Sequence, residues 1–342
     1  MNTRAGGLTI AALGACLCAS PAIASVECFV IPEPVVSLDH GSRYTDDSRT
    51  RSDIDPASNA GVNAALNPVD AFISALAKAS NMALKEPAEA SAHAACVGDA
   101  LAEWAQADAL SALETPNAHM SSPSRIAGMA FAYASVRSML SDDAQRGAID
   151  AWLRRRADQM IAYWDRDAPP KASRNNLRAW AAVAVARIGL TLGAEDLQHW
   201  AAWSALRVAC DAAPDGSLPR EMERGPLALH YQLHAIGPLV VTAALLHDAG
   251  FELFEACERA IPRAVDFTVA AIDNPDLVTT HAGALQSYST GDETLRAFEV
   301  AWAVAYLSFI ENPDLRRLVS DFDTLGHSKL GGLQTLLWGA KG

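Results

Sequence analysis

Between residues 70 and 310 the chain repeats one pattern: apolar side chains at i, i+3, i+4 and i+7, carried on Ala- and Leu-rich sequence. That period belongs to helices with one buried face, so it constrains the fold more than any other feature. It predicts helices over 70–83, 89–112, 124–139, 142–164, 174–192, 195–212, 226–249, 252–272 and 292–310. Asn67-Pro68 reads as the first N-cap with proline in the first turn. Gly and Pro punctuate the joints, as in APDGSLP (213–219) and ENP (311–313), and no β-hairpin pattern is visible. Short connections make neighbouring helices antiparallel. The expected class is all-α, a stack of antiparallel helix pairs curving into an incomplete (α/α) toroid with a cleft where inner helix ends meet.

The ends read differently. Arg4, the apolar run GLTIAALGACLCA and Ala22-Ile23-Ala24 form the three parts of a secretory signal peptide, cleaved near Ala24. Export to the periplasm or beyond is expected, with no other stretch apolar and long enough to span a bilayer. Residues 1–24 are thus the signal, 25–66 a Pro-rich extended loop, and 67–342 the helical domain. Six cysteines are present, and removing Cys16 and Cys18 with the signal leaves Cys28, Cys96, Cys210 and Cys257. Disulfides are permitted in an exported chain, and four cysteines allow three pairings. No C-x-x-C motif suggests zinc.

The formal charge is −13, from 27 Lys and Arg against 40 Asp and Glu. That argues against a nucleic-acid partner. A polyanionic substrate would need a local basic cleft within an acidic surface.

Two polar islands interrupt the apolar helices. The first opens SRNNLRAWAAVAVARIGL (173–190), where Arg174, Asn175 and Asn176 stand at the mouth of an interior helix. The second is DGSLPREMERGPLALHYQLHAIGPL (215–239). Arg224 and Tyr231 are seven residues apart, about two helical turns, and share a face if one helix covers both. His230 and His234 stand at i, i+4. Read alone, these residues have ordinary explanations: Arg220 and Arg224 pairing with Glu221 and Glu223, a core tyrosine, and core histidines in preference to a metal pair. Trp104 and Trp203 read as core; Trp180, one turn after Asn176, and Tyr44 are better placed to stack on a sugar.

These islands, together with PVVSLDHGSRYTDD, AACVGDALAEWAQADAL and the C-terminal LGHSKLGGLQTLLWG, resemble the signature blocks of the alginate lyases of polysaccharide lyase family five. The blocks occur in family order over most of the chain beyond the signal. The resemblance implies an (α/α) toroid, a periplasmic location and a β-elimination on β-linked uronates without metal or other cofactor. It places the catalytic asparagine on Asn176, the arginine on Arg224 and the acid/base tyrosine on Tyr231. It places the basic residue before the final Leu-Gly-Gly on Lys329 and the lid-loop motif on Ser42-Arg43-Tyr44. Cys28 and Cys96 resemble a family disulfide. Arg43, Tyr44, Arg174, Asn175, Trp180, His230, His234 and Lys329 are the candidate substrate contacts, with Arg178 a weaker one. A monomer acting on an anionic polysaccharide is expected.

One position departs from the family. Its motif reads Asn-Asn-His, with a catalytic histidine, where this chain has Leu177. Leucine carries neither charge nor hydrogen bond. Tyr231 must then perform both proton transfers, helped by the phenolate-favouring charge of Arg224, or His230 or His234 must assist. Two rivals share the fold: an inverting hydrolase using carboxylates such as Asp215 and Glu221, and a non-catalytic polysaccharide-binding relic.

Overall fold

The computed structural model describes residues 1–3 and 26–339; the signal-peptide reading lies outside the described residues. The chain enters through an extended segment that pairs a two-residue strand, β1 (Ser37–Leu38), in parallel with β2 (Ala112–Leu113). A Cys28–Cys96 disulfide fastens this segment to the second helix, and Cys210–Cys257 forms a second staple.

The first helix is longer than its sequence suggests. α1 runs Pro56–Lys85, capped by the Asp55 side chain, which accepts from the Ser58 N–H. The Asp55-Pro56 pair therefore provides the cap expected at Asn67-Pro68, and Pro68 lies inside the helix. The buried row Val62, Leu66, Val69, Phe72, Ile73 and Leu76 runs across that proline and holds the helix continuous by packing. The expected loop up to residue 66 is thus shorter by a three-turn helix end. α3 likewise begins early, at Pro116 with a Thr115 cap accepting from Ala118 N–H, and absorbs Pro123. α4 (Asp143–Arg166), α5 (Asn176–Leu192) and α6 (Glu195–Ala209) follow the predicted period, while α2 (Ala90–Gln106) ends six residues short of the predicted 112, where the chain turns into β2.

α5 is the hub. It packs against α3, α6 and, beyond the short α7 (Pro219–Met222), α8 (Ala228–His247). Its centre, Ala179 to Ala186, is enclosed, as an apolar helix with no polar face requires. Asn175 caps its start, accepting from Leu177 N–H, and Gly193 (φ +65°) closes it in the left-handed conformation. With its preceding turn α8 is also long and apolar enough to cross a membrane, contrary to the expectation that no second stretch would be. Eighty-three per cent of its apolar window is buried in this fold, so it is a core helix.

The C-terminal third is more broken than predicted. After α9 (Ala256–Asp273) come α10 (Asp276–Ala282), α11 (Ser287–Thr290), α12 (Ala303–Leu307) and α13 (Pro313–Val319). The expected 292–310 helix is a single turn at Ala297–Glu299 followed by α12. An antiparallel pair, β3 (Gly326–His327) with β4 (Gly332–Leu333), precedes α14 (Gln334–Trp338). Two-residue strands carry too little alternation to be read from sequence. Their linker closes through Gly331 and Gly332, at φ +92° and +95°, where a side chain would be strained. It presents Lys329 beside α3 at the cleft.

Candidate active site

The inner helix ends enclose a cleft of about 850 Å³. The start of α5 gives it Asn175, Asn176, Leu177 and Trp180; α8 gives His230, Tyr231 and His234. The entering segment closes over the top with His40, Arg43, Tyr44 and Arg51, and Lys329 lines it from the β3–β4 linker. Arg224 lies in the turn before α8, so it does not share a helix with Tyr231 as the seven-residue spacing suggests. The two meet nonetheless: the guanidinium carbon lies 3.5 Å from the Tyr231 ring centroid.

Asn176 is wholly buried and fixed by Glu221 of α7. Glu221 accepts from the Asn176 backbone N–H (2.7 Å) and from Nδ2 (2.9 Å). Oδ1 of Asn176 is buried without a hydrogen-bond partner among the described residues. Burial pushes the Glu221 carboxyl up to about 7, against the Asn176 bonds and nearby Arg224.

Tyr231 hydrogen-bonds the Tyr44 hydroxyl, joining α8 to the entering segment. Arg224 makes the same connection, donating from Nη2 to the Arg51 carbonyl at 2.6 Å. Thr50 lies against Gly225: a Cβ there would meet its Cγ2 at 3.3 Å, and φ is +55°. The segment is thus held down on three neighbouring contacts. The expected preference for phenolate is reversed. Burial raises the Tyr231 pKa well above its ordinary value, and Arg224 offsets only part of that. Tyr231 is a phenol.

The imidazoles divide. His230 Nδ1 lies 2.9 Å from Glu293 Oε1. His234 tilts against Trp180, ring centroids 5.3 Å apart, and burial with surrounding positive groups holds its pKa well below the ordinary value. It is neutral. Lys329 is lowered to about 8 by burial and by Arg125.

Several expected contacts lie elsewhere. Arg174 turns from the cleft to Asp211 (3.3 Å), one step round the helix start from Asn175. Arg178 is a core residue, bonded to Asp165 (2.9 Å), the Trp164 carbonyl and Ser204. Trp104 is fully buried, as its core reading required, whereas Trp203, also read as core, is half-exposed beneath Arg178 and Arg207 and does not line the cleft. Asp215, held by Ser217 and His281, and Glu221 do not line the cleft either, so the suggested hydrolase pair does not face a substrate. Arg220 pairs with Glu223 at 2.6 Å, the ordinary local pairing expected of it.

Other lining residues leave no mark in the sequence that singles them out. Glu293 comes from a stretch expected to be helical. His40 Nε2 contacts Ser121 Oγ at 2.9 Å, and buried Arg125 pairs with Asp70 at 2.7 Å. Arg125 stands on α3 at a position that periodicity marks only as interior.

Comparison with known proteins agrees with this architecture. The sequence profile of the Alginate lyase family matches residues 39–278. A polysaccharide lyase of Stenotrophomonas maltophilia is 33% identical over 249 residues, 71% of this chain and 72% of that one. An alginate lyase of Pseudomonas syringae pv. syringae is 25% identical over 316 residues, 90% and 82% of the two chains. Among solved structures, alginate lyase A1-III from Sphingomonas species A1 superposes with TM-score 0.72 at 24% identity, covering 91% of this chain and 86% of that one. A histidine-to-alanine variant of A1-III complexed with tetrasaccharide superposes with TM-score 0.75 at 24% identity, over 91% and 85%. The profile match spans well over half of the chain, and the chain therefore belongs to the alginate lyase family, as a polysaccharide lyase built on an (α/α) toroid.

Proposed function

We propose that the protein is an exported lyase that cleaves β-1,4-linked mannuronate or glucuronate polymers by β-elimination, leaving 4,5-unsaturated ends. The observation that carries this reading is the convergence of Asn176, Arg224 and Tyr231 on one cleft. Removing the C5 proton of a uronate is hard because the neighbouring carboxylate resists further negative charge. An amide N–H of Asn176 and the Arg224 guanidinium stabilise that carboxylate as charge builds on it. Tyr231, a phenol, protonates the departing O4. Arg43 and Lys329 bind carboxylates of neighbouring sugars, and Tyr44 and Trp180 offer ring faces. The tetrasaccharide complexed with the A1-III variant supports an oligosaccharide as the ligand of this fold. Two disulfides in the folded chain support an oxidising compartment.

The test is ultraviolet absorbance of unsaturated product with polymannuronate, glucuronan and hyaluronan. Tyr231→Phe, which keeps the ring and removes the proton, should lower kcat roughly 10²–10⁴-fold. Wild-type activity in a folded Tyr231→Phe variant would end this assignment.

A further inference from the structure

Leu177 removes the imidazole that the family motif places at the start of α5, and the structure shows where another stands. We propose that His230, oriented by Glu293, is the base that takes the C5 proton, while Tyr231 serves as the acid alone. This rests on the lyase reading above and assigns the half of its proton chemistry left without a residue.

The geometry has three parts. His230 precedes Tyr231 on α8; both line the cleft, with ring centroids 5.0 Å apart and planes at 73°. One sugar can therefore present C5 to one ring and O4 to the other. Glu293 Oε1 stands 2.9 Å from Nδ1, a charge contact without aligned hydrogen-bond geometry, and its negative charge favours a proton on that nitrogen and the lone pair on Nε2. Among the described residues Nε2 has no hydrogen-bond partner. Glu293 is itself anchored by the Ser287 hydroxyl. Burial opposes its ionisation, but His230 and Ser287 together hold its carboxyl below the usual range, so it is the anion that an imidazolium needs beside it.

The other candidates are worse suited. His234 has positive or potentially positive neighbours in His230, Lys329, His327 and Arg224, which disfavour the charge it would gain. Tyr231 would first have to lose its own proton against burial.

The step balances. The C5–H electron pair becomes the C4=C5 double bond as the proton passes to His230 Nε2. The C4–O4 bond breaks with its pair going to oxygen, which takes the Tyr231 phenolic proton. An imidazolium and a phenolate remain side by side on α8, and one proton passed between them restores both.

Three variants test this: His230→Ala, Glu293→Gln and Glu293→Asp, each confirmed folded by circular dichroism and assayed on the polymer that wild type cleaves best. His230→Ala should lose roughly 10²–10⁴-fold in kcat with KM little changed, the scale of a general base, and added imidazole should restore part of kcat. Imidazole should do nothing for Tyr231→Phe. Glu293→Gln should lose at least about tenfold, within the roughly 10⁴ that removing an orienting carboxylate can cost, and Glu293→Asp should recover much of it. Unchanged kcat in His230→Ala or Glu293→Gln, or a loss in His230→Ala that imidazole leaves untouched, overturns the inference and leaves the lyase reading standing. No unsaturated product from wild type on any polyuronate overturns both.

Discussion

Glu221→Gln should make the folded protein more stable at neutral pH and the enzyme slower. Glu221 is 1% exposed and accepts two bonds from Asn176. Its pKa rises from 4.5 to about 7, chiefly by burial. Between those values the folded chain keeps a proton that the unfolded chain has released. Stability therefore falls as pH rises through that window, and the full cost stands above about 7. At about 1.4 kcal/mol per tenfold change, the ionised carboxylate costs the folded state about 3 kcal/mol. Glutamine has nothing to ionise. The shifted pKa already contains the charge assistance of the two Asn176 bonds, so a net gain of about 3 kcal/mol is expected near neutrality. The cost falls on Asn176. Above about pH 7, where Glu221 is ionised, the carboxylate accepts only and so holds Nδ2 towards itself. A glutamine can donate instead to Asn176 Oδ1, buried without a partner in the wild type, once the amide turns over. That mixed orientation should reduce kcat roughly tenfold, short of the 10²–10³ that removing a donor costs. Urea unfolding of both proteins at about pH 5 and about pH 8 should show the stability difference changing by about 3 kcal/mol. Parallel stability profiles, or unchanged kcat, would refute the argument.

Lys329, lowered to about 8, is a cation below that pH and loses its charge above it. KM for a polyuronate should therefore rise as pH passes about 8, and Lys329→Arg, which stays charged, should flatten that rise. Leu177→His should raise polymannuronate cleavage or shift the preferred polymer, with KM little changed; product ratios on polymannuronate and glucuronan measure it, and identical ratios count against any role for position 177. Replacing Cys28 and Cys96 by serine removes a link across a sequence separation of 68 residues, costing about 4 kcal/mol on the loop-entropy account. Non-reducing peptide maps and urea midpoints check the pairing and its effect.

The helical class and the two polar islands were legible because each leaves a local mark: a period, a cap or a run of charge inside an apolar stretch; that Asn176, Arg224 and Tyr231 belong together was implied only by the family resemblance. What the marks could not resolve is direction. Arg174, Asn175 and Asn176 are consecutive, yet the first turns out to Asp211, the second caps α5 and the third is sealed against Glu221. A helix start rotates about 100° per residue, so adjacency does not mean a shared partner. The Tyr231 proton shows a second limit. Arg224 is visible in sequence and favours phenolate, whereas the burial that outweighs it is a property of the folded cleft, where Tyr231 also meets the Tyr44 hydroxyl.

The chain's charge closes on the same point. An acidic chain of −13 was expected to need a local basic cleft for a polyanion, and the cleft is lined by Arg43, Arg49, Arg51, Arg125, Lys171, Arg220, Arg224 and Lys329 against Glu223 and Glu293. The two acids are not spread at random. Glu223 is bound by Lys171 at 2.8 Å and by Arg220, which neutralises the rim. Glu293, unlike Glu223, is turned to an imidazole. A carboxylate in a site that must attract carboxylates works against binding, so its presence there calls for a compensating use. Orienting His230 through its Nδ1 side is such a use.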